Sequence, residues 1–189
     1  MPLAHAILGF LEYRPMTGYD LKKYFDLSLA HFWSATQSHI YKALENLEKD
    51  GLVEFMVIPQ EGRPNRKQYQ ITDSGRLELR SWVTAPLPVT APREAWLIQV
   101  FFAHGITNDQ IVHLFEKRIE ALREYLSQLK IAQSTTEENY EQVRIDRLRE
   151  LWQLTIDYRA DYYGHEIAWL EKTLPRLRKL PPSAQVASA

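Results

Sequence analysis

The sequence predicts a mainly α protein with a small β hairpin: a winged helix-turn-helix domain followed by an α-helical, coiled-coil-like dimerisation domain. Three observations carry that prediction. Helical apolar spacing over residues 3–52 is interrupted by capping residues at Thr17 and Ser34. Two short strand-like runs then flank the turn-forming stretch Pro59 to Asn65. Beyond the proline-spaced residues 85–92, every periodic segment has the helical repeat. The expected domains are 1–84, winged; 85–92, linker; 93–178, helical; and 179–189, a flexible tail.

Composition narrows the classes. A chain of 189 residues with 45% hydrophobic content can build one or two real cores, and its formal net charge of −1 advertises no nucleic-acid partner. Zero cysteines exclude disulfides, thiolate catalysis and cysteine-ligated metals. The N-terminus lacks the basic start of a signal peptide, and no apolar run approaches the roughly 18 residues that span a bilayer. The expectation is a soluble, cytoplasmic protein.

In chain order, Leu3, Ala6, Ile7, Phe10 and Leu11 mark a first helix that Arg14-Pro15 ends. Thr17 and Asp20 offer an N-cap and an acidic N3 residue for a second, with Leu21, Tyr24 and Phe25 inward and Lys22, Lys23 and Asp26 outward. An aromatic connection, Leu29 to Trp33, leads to the stretch Ser34 to Leu52. There Ser34 and Gln37 stand at capping-box spacing, and Asp50-Gly51 closes a helix of about four turns. Ile40, Ala43, Leu44 and Leu47 share its inner face; Ser38, Lys42, Glu45 and Lys49 lie opposite, flanked by His39 and Asn46. A solvated face would look the same. Its neighbours decide, because helix, turn, helix and hairpin is the order of a winged helix-turn-helix, whose second helix enters the major groove.

Residues 52–58 read as a strand and 66–71 as its partner, joined by a tip where Arg63, Arg66 and Lys67 gather. A wing so charged would neutralise phosphates or reach the minor groove. Thr72 to Gly75 starts a helix with Leu77, Leu79, Trp82 and Val83 as its apolar surface.

Leu8-Gly9, the run Pro15 to Asp20, Phe32-Trp33-Ser34, Ser38 to Tyr41, the run Leu44 to Val53, and Arg66-Lys67-x-Tyr69-x-Ile71-Thr72-x-x-Gly75 together resemble the PadR family of bacterial transcriptional regulators over residues 3–84. The remainder resembles the larger C-terminal domain of the branch that includes phenolic-acid-responsive repressors. One departure is Lys42, where many members carry proline.

Residues 1–90 hold ten cations and ten anions, so affinity for DNA would depend on how charge is sorted over the surface. The expected contacts are Gln37, Ser38, His39, Tyr41 and Lys42 in the major groove. Arg63, Asn65, Arg66 and Lys67 would hold the backbone or minor groove, and Lys22 and Lys23 phosphates.

Past the linker, Arg93 to His104 is expected to be a helix burying Trp96, Leu97, Val100 and Phe101. Thr107 and Gln110 form another capping box, followed by a coiled-coil seam at Val112, Phe115, Ile119, Leu122, Leu126 and Leu129. Gln133 to Glu138 should break it, with Thr135 and Glu138 capping a last helix from Tyr140 to Leu174. The apolar face of that helix wraps more than half the cylinder, which implies two partners, one from a second subunit. A monomeric bundle is the plainer alternative, but a palindrome needs two recognition helices.

The resemblance also implies a homodimer on operator DNA and a small aromatic effector between the winged domain and the C-terminal helices. Tyr19, Phe32, Trp33, Trp96, Tyr158 and Tyr162 are the expected walls, with Arg63, His165 or Gln99 for a carboxylate, as in p-coumaric acid. Core packing is the ordinary role of any one of these aromatics. The six histidines have no metal-ligand spacing, and no phosphate loop or nucleophile elbow is present, so neither enzyme nor metal or other cofactor is expected. Two alternatives remain: a multidrug sensor controlling an efflux pump, and a winged-helix protein-interaction module without DNA binding.

Overall fold

In the computed structural model the backbone is described for residues 2–60, 62, 65–140 and 146–183, and side chains for all of these except 131–140 and 146. The order is α1 (Pro2–Tyr13), β1 (Met16–Thr17), α2 (Gly18–Ser28), α3 (Gln37–Lys49), β2 (Val53–Ile58), β3 (Arg66–Ile71) and α4 (Asp73–Thr84). Then come α5 (Ala95–Phe101), a 3-10 turn (Ala103–Gly105), α6 (Asn108–Tyr140) and α7 (Asp146–Leu177). The chain forms two units, Met1–Val89 and Thr90–Ala189.

The first unit is built around three helices. Ile7 and Leu8 of α1, Leu21 and Phe25 of α2, and Ile40, Leu44 and Leu47 of α3 meet in one core, which Val53, Tyr69 and Ile71 of the sheet extend. Burying each such side chain is worth about 1.5–3 kcal/mol. The expected box at the start of α2 is present: Asp20 N–H donates to Thr17 Oγ1 at 3.2 Å, and Thr17 N–H to Asp20 Oδ2 at 3.1 Å.

Helix α3 begins later than Ser34. Its N-cap is Thr36, whose Oγ1 accepts from His39 N–H at 3.3 Å. Both hydroxyls suit a cap, and burial of Ala35 beside the core fixes which one lies at the helix entry. The helix ends as read, with Gly51 at φ +70°, Gly51 N–H on Glu48 O at 3.0 Å and Leu52 N–H on Leu47 O at 2.9 Å.

The sheet has a third strand that the sequence did not disclose. β1 pairs antiparallel with β3, Met16 opposite Tyr69 and Thr17 opposite Gln68, so the order is β1-β3-β2. Helix α4 turns Leu79 and Trp82 inward, while Leu77 and Val83, expected as apolar surface, are exposed. Trp82 stacks on His5 with ring centroids 4.6 Å apart, and His5 Nε2 lies 2.9 Å from Glu78 Oε1.

In the second unit α6 and α7 are antiparallel, since Asn108 Nδ2 donates to Leu180 O and Tyr125 meets the ring of Tyr163. The box at Thr107 and Gln110 starts α6, and Val112, Phe115, Ile119, Leu122 and Leu129 are buried as the seam requires. The break expected at Gln133 does not occur, because α6 runs to Tyr140 and α7 starts at Asp146. Polar residues there lower helix propensity by tenths of a kcal/mol each, too little to stop a long helix. Caps by Thr135 and Glu138 fall among side chains outside the described residues, as does the tail from 184. Leu97 and Phe101 of α5 are exposed; only Trp96 and Val100 pack against the core.

Helix α7 divides its apolar residues between two faces. Ile156, Tyr163, Ile167, Leu170 and Leu174 turn toward this unit's interior. Leu151, Leu154, Tyr158, Tyr162 and Trp169 form a second row that is open to solvent.

Candidate DNA interface and effector cleft

The first two turns of α3 present Gln37, Ser38, His39, Tyr41 and Lys42, all exposed. A helix entering the major groove reads base edges with residues at that end. Gly18 of α2 sets where the Tyr41 ring lies, since a Cβ there would stand 2.7 Å from that ring. His39 and Lys42 also line a surface cleft shared with Leu3, His5 and Glu78.

The expected phosphate contacts differ in their surroundings. Lys22 is already paired with Asp26 on its own helix. Lys67 stands 3.7 Å from Glu48 and 3.7 Å over the Phe55 ring, so it is held against α3 rather than extended from the wing. Lys23 and Arg66 are exposed. Asn65 Oδ1 accepts from Gln60 N–H at 3.3 Å and braces the tip of the hairpin. Arg63 lies outside the described residues. Burial, with the carboxylate of Glu48, the Tyr41 phenol and the carboxylate of Glu45, pushes the Tyr69 phenol up. Along α3, Gln37, His39 and Lys42 stand toward the start, and Glu45 and Glu48 stand toward the end with Asn46 and Lys49.

The expected effector residues fall in both units. In the first, Phe32 is half-buried with its ring 4.7 Å from that of His31, while Tyr19 and Trp33 are exposed. In the second, Trp96, Tyr162 and His165 come together in a cleft of about 500 Å³ between α5 and α7. Gln99 and Tyr158 are exposed and do not line it. The cleft adds five residues that sequence reasoning had not placed there, Pro92, Glu94, Leu97, Glu166 and Trp169. No local pattern could have announced them, because positions 94 and 166 meet only through folding.

Tyr162 Oη donates to Glu94 at 3.0 Å, and that bond, with burial and the nearby carboxylates, raises the phenol's pKa. Arg118 Nε donates to Glu166 at 2.9 Å, and its guanidinium lies 5.3 Å from the centre of the Trp96 ring. His165 Nδ1 donates to Asp161 O at 2.7 Å. Among the described residues no group of three His, Asp or Glu could hold a metal ion, and no helix is long and apolar enough to cross a membrane.

Residues 7–81 match the transcriptional regulator PadR-like family, and residues 92–178 match the virulence activator alpha C-terminal domain. A probable transcriptional regulator of Mycobacterium tuberculosis is 44% identical over 92 residues, about half the length of either chain (49% of each). The negative transcriptional regulator PadR of Bacillus subtilis is 32% identical over 130 residues, covering 68% of this chain and 71% of that one. Its crystal structure with operator DNA superposes with a TM-score of 0.78 at 26% identity, over 94% of this chain and 99% of that one. Its structure with p-coumaric acid gives 0.77 at 26% identity, over 95% and 100%. The relatives are regulators and not enzymes, and with this helix-turn-helix core, its paired wing and the helical unit that follows, the chain belongs to the PadR-like family of transcriptional regulators.

Proposed function

We propose that the protein is a cytoplasmic homodimeric repressor that holds operator DNA and leaves it when a small aromatic effector, a phenolic acid such as p-coumaric acid, binds. The likeness to a relative solved on operator DNA carries this reading, and the same relative solved with p-coumaric acid supports the effector. Gln37, Ser38, His39, Tyr41 and Lys42 read bases. Lys22, Lys23, Arg63, Asn65, Arg66 and Lys67 serve the backbone. Two copies on a palindrome set half-sites about one helical turn, or a small multiple, apart. The effector acts by preferring one of two spacings of the recognition helices.

Fluorescence anisotropy on DNA from upstream of the protein's own and neighbouring genes tests it, at several salt concentrations with and without p-coumaric acid. Binding should weaken steeply with salt, and p-coumaric acid should abolish it. No preference over random DNA at any salt removes the repressor reading.

Gly18→Ala provides a finer check. The new methyl displaces the Tyr41 ring, whose far end can swing, so stability should change little. Operator affinity should fall about tenfold, the worth of one base-edge contact. Unchanged affinity in the same anisotropy assay would remove Tyr41 from the reading surface.

A further inference from the structure

Arg159 of α7 is a cation to which the fold gives no anion. Its Nε is enclosed by protein without a hydrogen-bond partner, and among the described residues the side chain makes no ion pair. Its own helix supplies no acid, because the residues three and four away are Thr155, Ile156, Tyr162 and Tyr163. Asp157 and Asp161, two residues to either side, lie on another face. Elsewhere in the hairpin arginines are matched, Arg118 by Glu166 and Arg123 by Glu171. Arg159 has tyrosines instead. Its guanidinium lies 5.9 Å from the centre of the Tyr162 ring and 6.0 Å from that of Tyr163, and Tyr163 meets Tyr125 of α6 edge-on at 5.0 Å. Burial and Tyr163 push the Tyr125 phenol up, and the charge of Arg159 pulls it down.

Rings at that distance return only part of what a charge loses on leaving water. A carboxylate returns more, because the guanidinium fork meets its two oxygens in parallel bonds. The residue is partly exposed, which leaves a ligand a path to it. We propose that Arg159 receives the carboxylate of the effector, with the rings of Tyr125 and Tyr163 beside the ligand's own ring. This rests on the reading of an aromatic-acid effector, and it moves the anion's anchor away from Arg63, His165 and Gln99. Arg159, Tyr125 and Tyr163 stand outside the outward row of α7 that a second copy would cover.

Titration calorimetry on the full-length protein compares p-coumaric acid with its methyl ester, which keeps the ring and loses the charge. The acid should bind at least about tenfold more tightly than the ester. Arg159→Gln should weaken the acid about tenfold and leave the ester unchanged, and Arg159→Lys, which keeps the charge without the fork, should recover part of the loss. Operator release from Arg159→Gln should need about tenfold more p-coumaric acid. Equal affinity of the parent for acid and ester, which needs no variant, overturns the proposal. So does an Arg159→Gln protein that binds the acid as the parent does, and in both cases release of operator by the acid leaves the effector reading standing. A fall of Arg159→Gln from dimer to monomer on a sizing column also overturns it, by giving the guanidinium to a carboxylate of the second copy. If the parent binds neither compound and the acid releases no operator, the effector reading fails and this assignment with it.

Discussion

Gly75→Ala should destabilise the N-terminal unit by about 3 kcal/mol or more, the upper range for overpacking a well-filled site. A Cβ at position 75 would lie 2.2 Å from the backbone carbonyl oxygen of Leu52 and 2.8 Å from Ile71 Cγ1. The carbonyl cannot swing aside, because it accepts from Thr72 N–H at 3.1 Å. Thr72 Oγ1 in turn donates to Gly51 O at 2.8 Å and caps α4 by accepting from Gly75 N–H at 3.1 Å. The end of α3, the end of β3 and the start of α4 are thus locked together at one point. Urea unfolding followed by circular dichroism measures the effect. Gly9→Ala is the control, since a Cβ there meets nothing within 4 Å and alanine is the better helix former. It should leave stability equal or raise it by about 0.5–1 kcal/mol. A loss at Gly75 no greater than at Gly9 would mean that the junction yields.

Leu154→Glu should leave the protomer folded and cost operator affinity about a hundredfold or more, the typical advantage of two linked reading heads over one. Leu154 is 60% exposed within one chain, so the charge enters no protomer core. It stands in the outward row of α7 with Leu151, Tyr158 and Trp169, at 52%, 65% and 50% exposure. An apolar row of this length on one helix face is what a second copy would cover, and a buried, unpaired carboxylate there is costly. Light scattering on a sizing column should move the mass from dimer to monomer while circular dichroism stays constant. A variant that remains dimeric and binds operator normally would place the dimer contact elsewhere on the chain.

Local chemistry explains why so much of the fold was legible. The capping boxes at Thr17 and Thr107 and the glycine closure at Gly51 were readable because a side chain and a backbone group a few residues apart settle each of them. The start of α3 was misread by two residues because Ser34 and Thr36 carry the same hydroxyl, and only packing of Ala35 separates them. The two residues of β1 have no period to read and exist by pairing with β3. The division of α7 into inner and outer rows followed from the width of its apolar face, though which residues belong to each row did not.

The candidate site divides in the same way. Exposure of Ser38, His39 and Lys42 followed from helical phase, a property of the sequence alone, while that of Gln37 and Tyr41 did not. The pairing of Lys67 with Glu48 and Phe55, and the meeting of Glu94 with Tyr162, required distant segments to be brought together. By itself the sequence determined the elements, their order and their caps, because those depend on interactions within a few residues. Only the tertiary structure decided which charges are neutralised and that an aromatic cleft is acidic, because electrostatics acts through space between residues the chain keeps far apart.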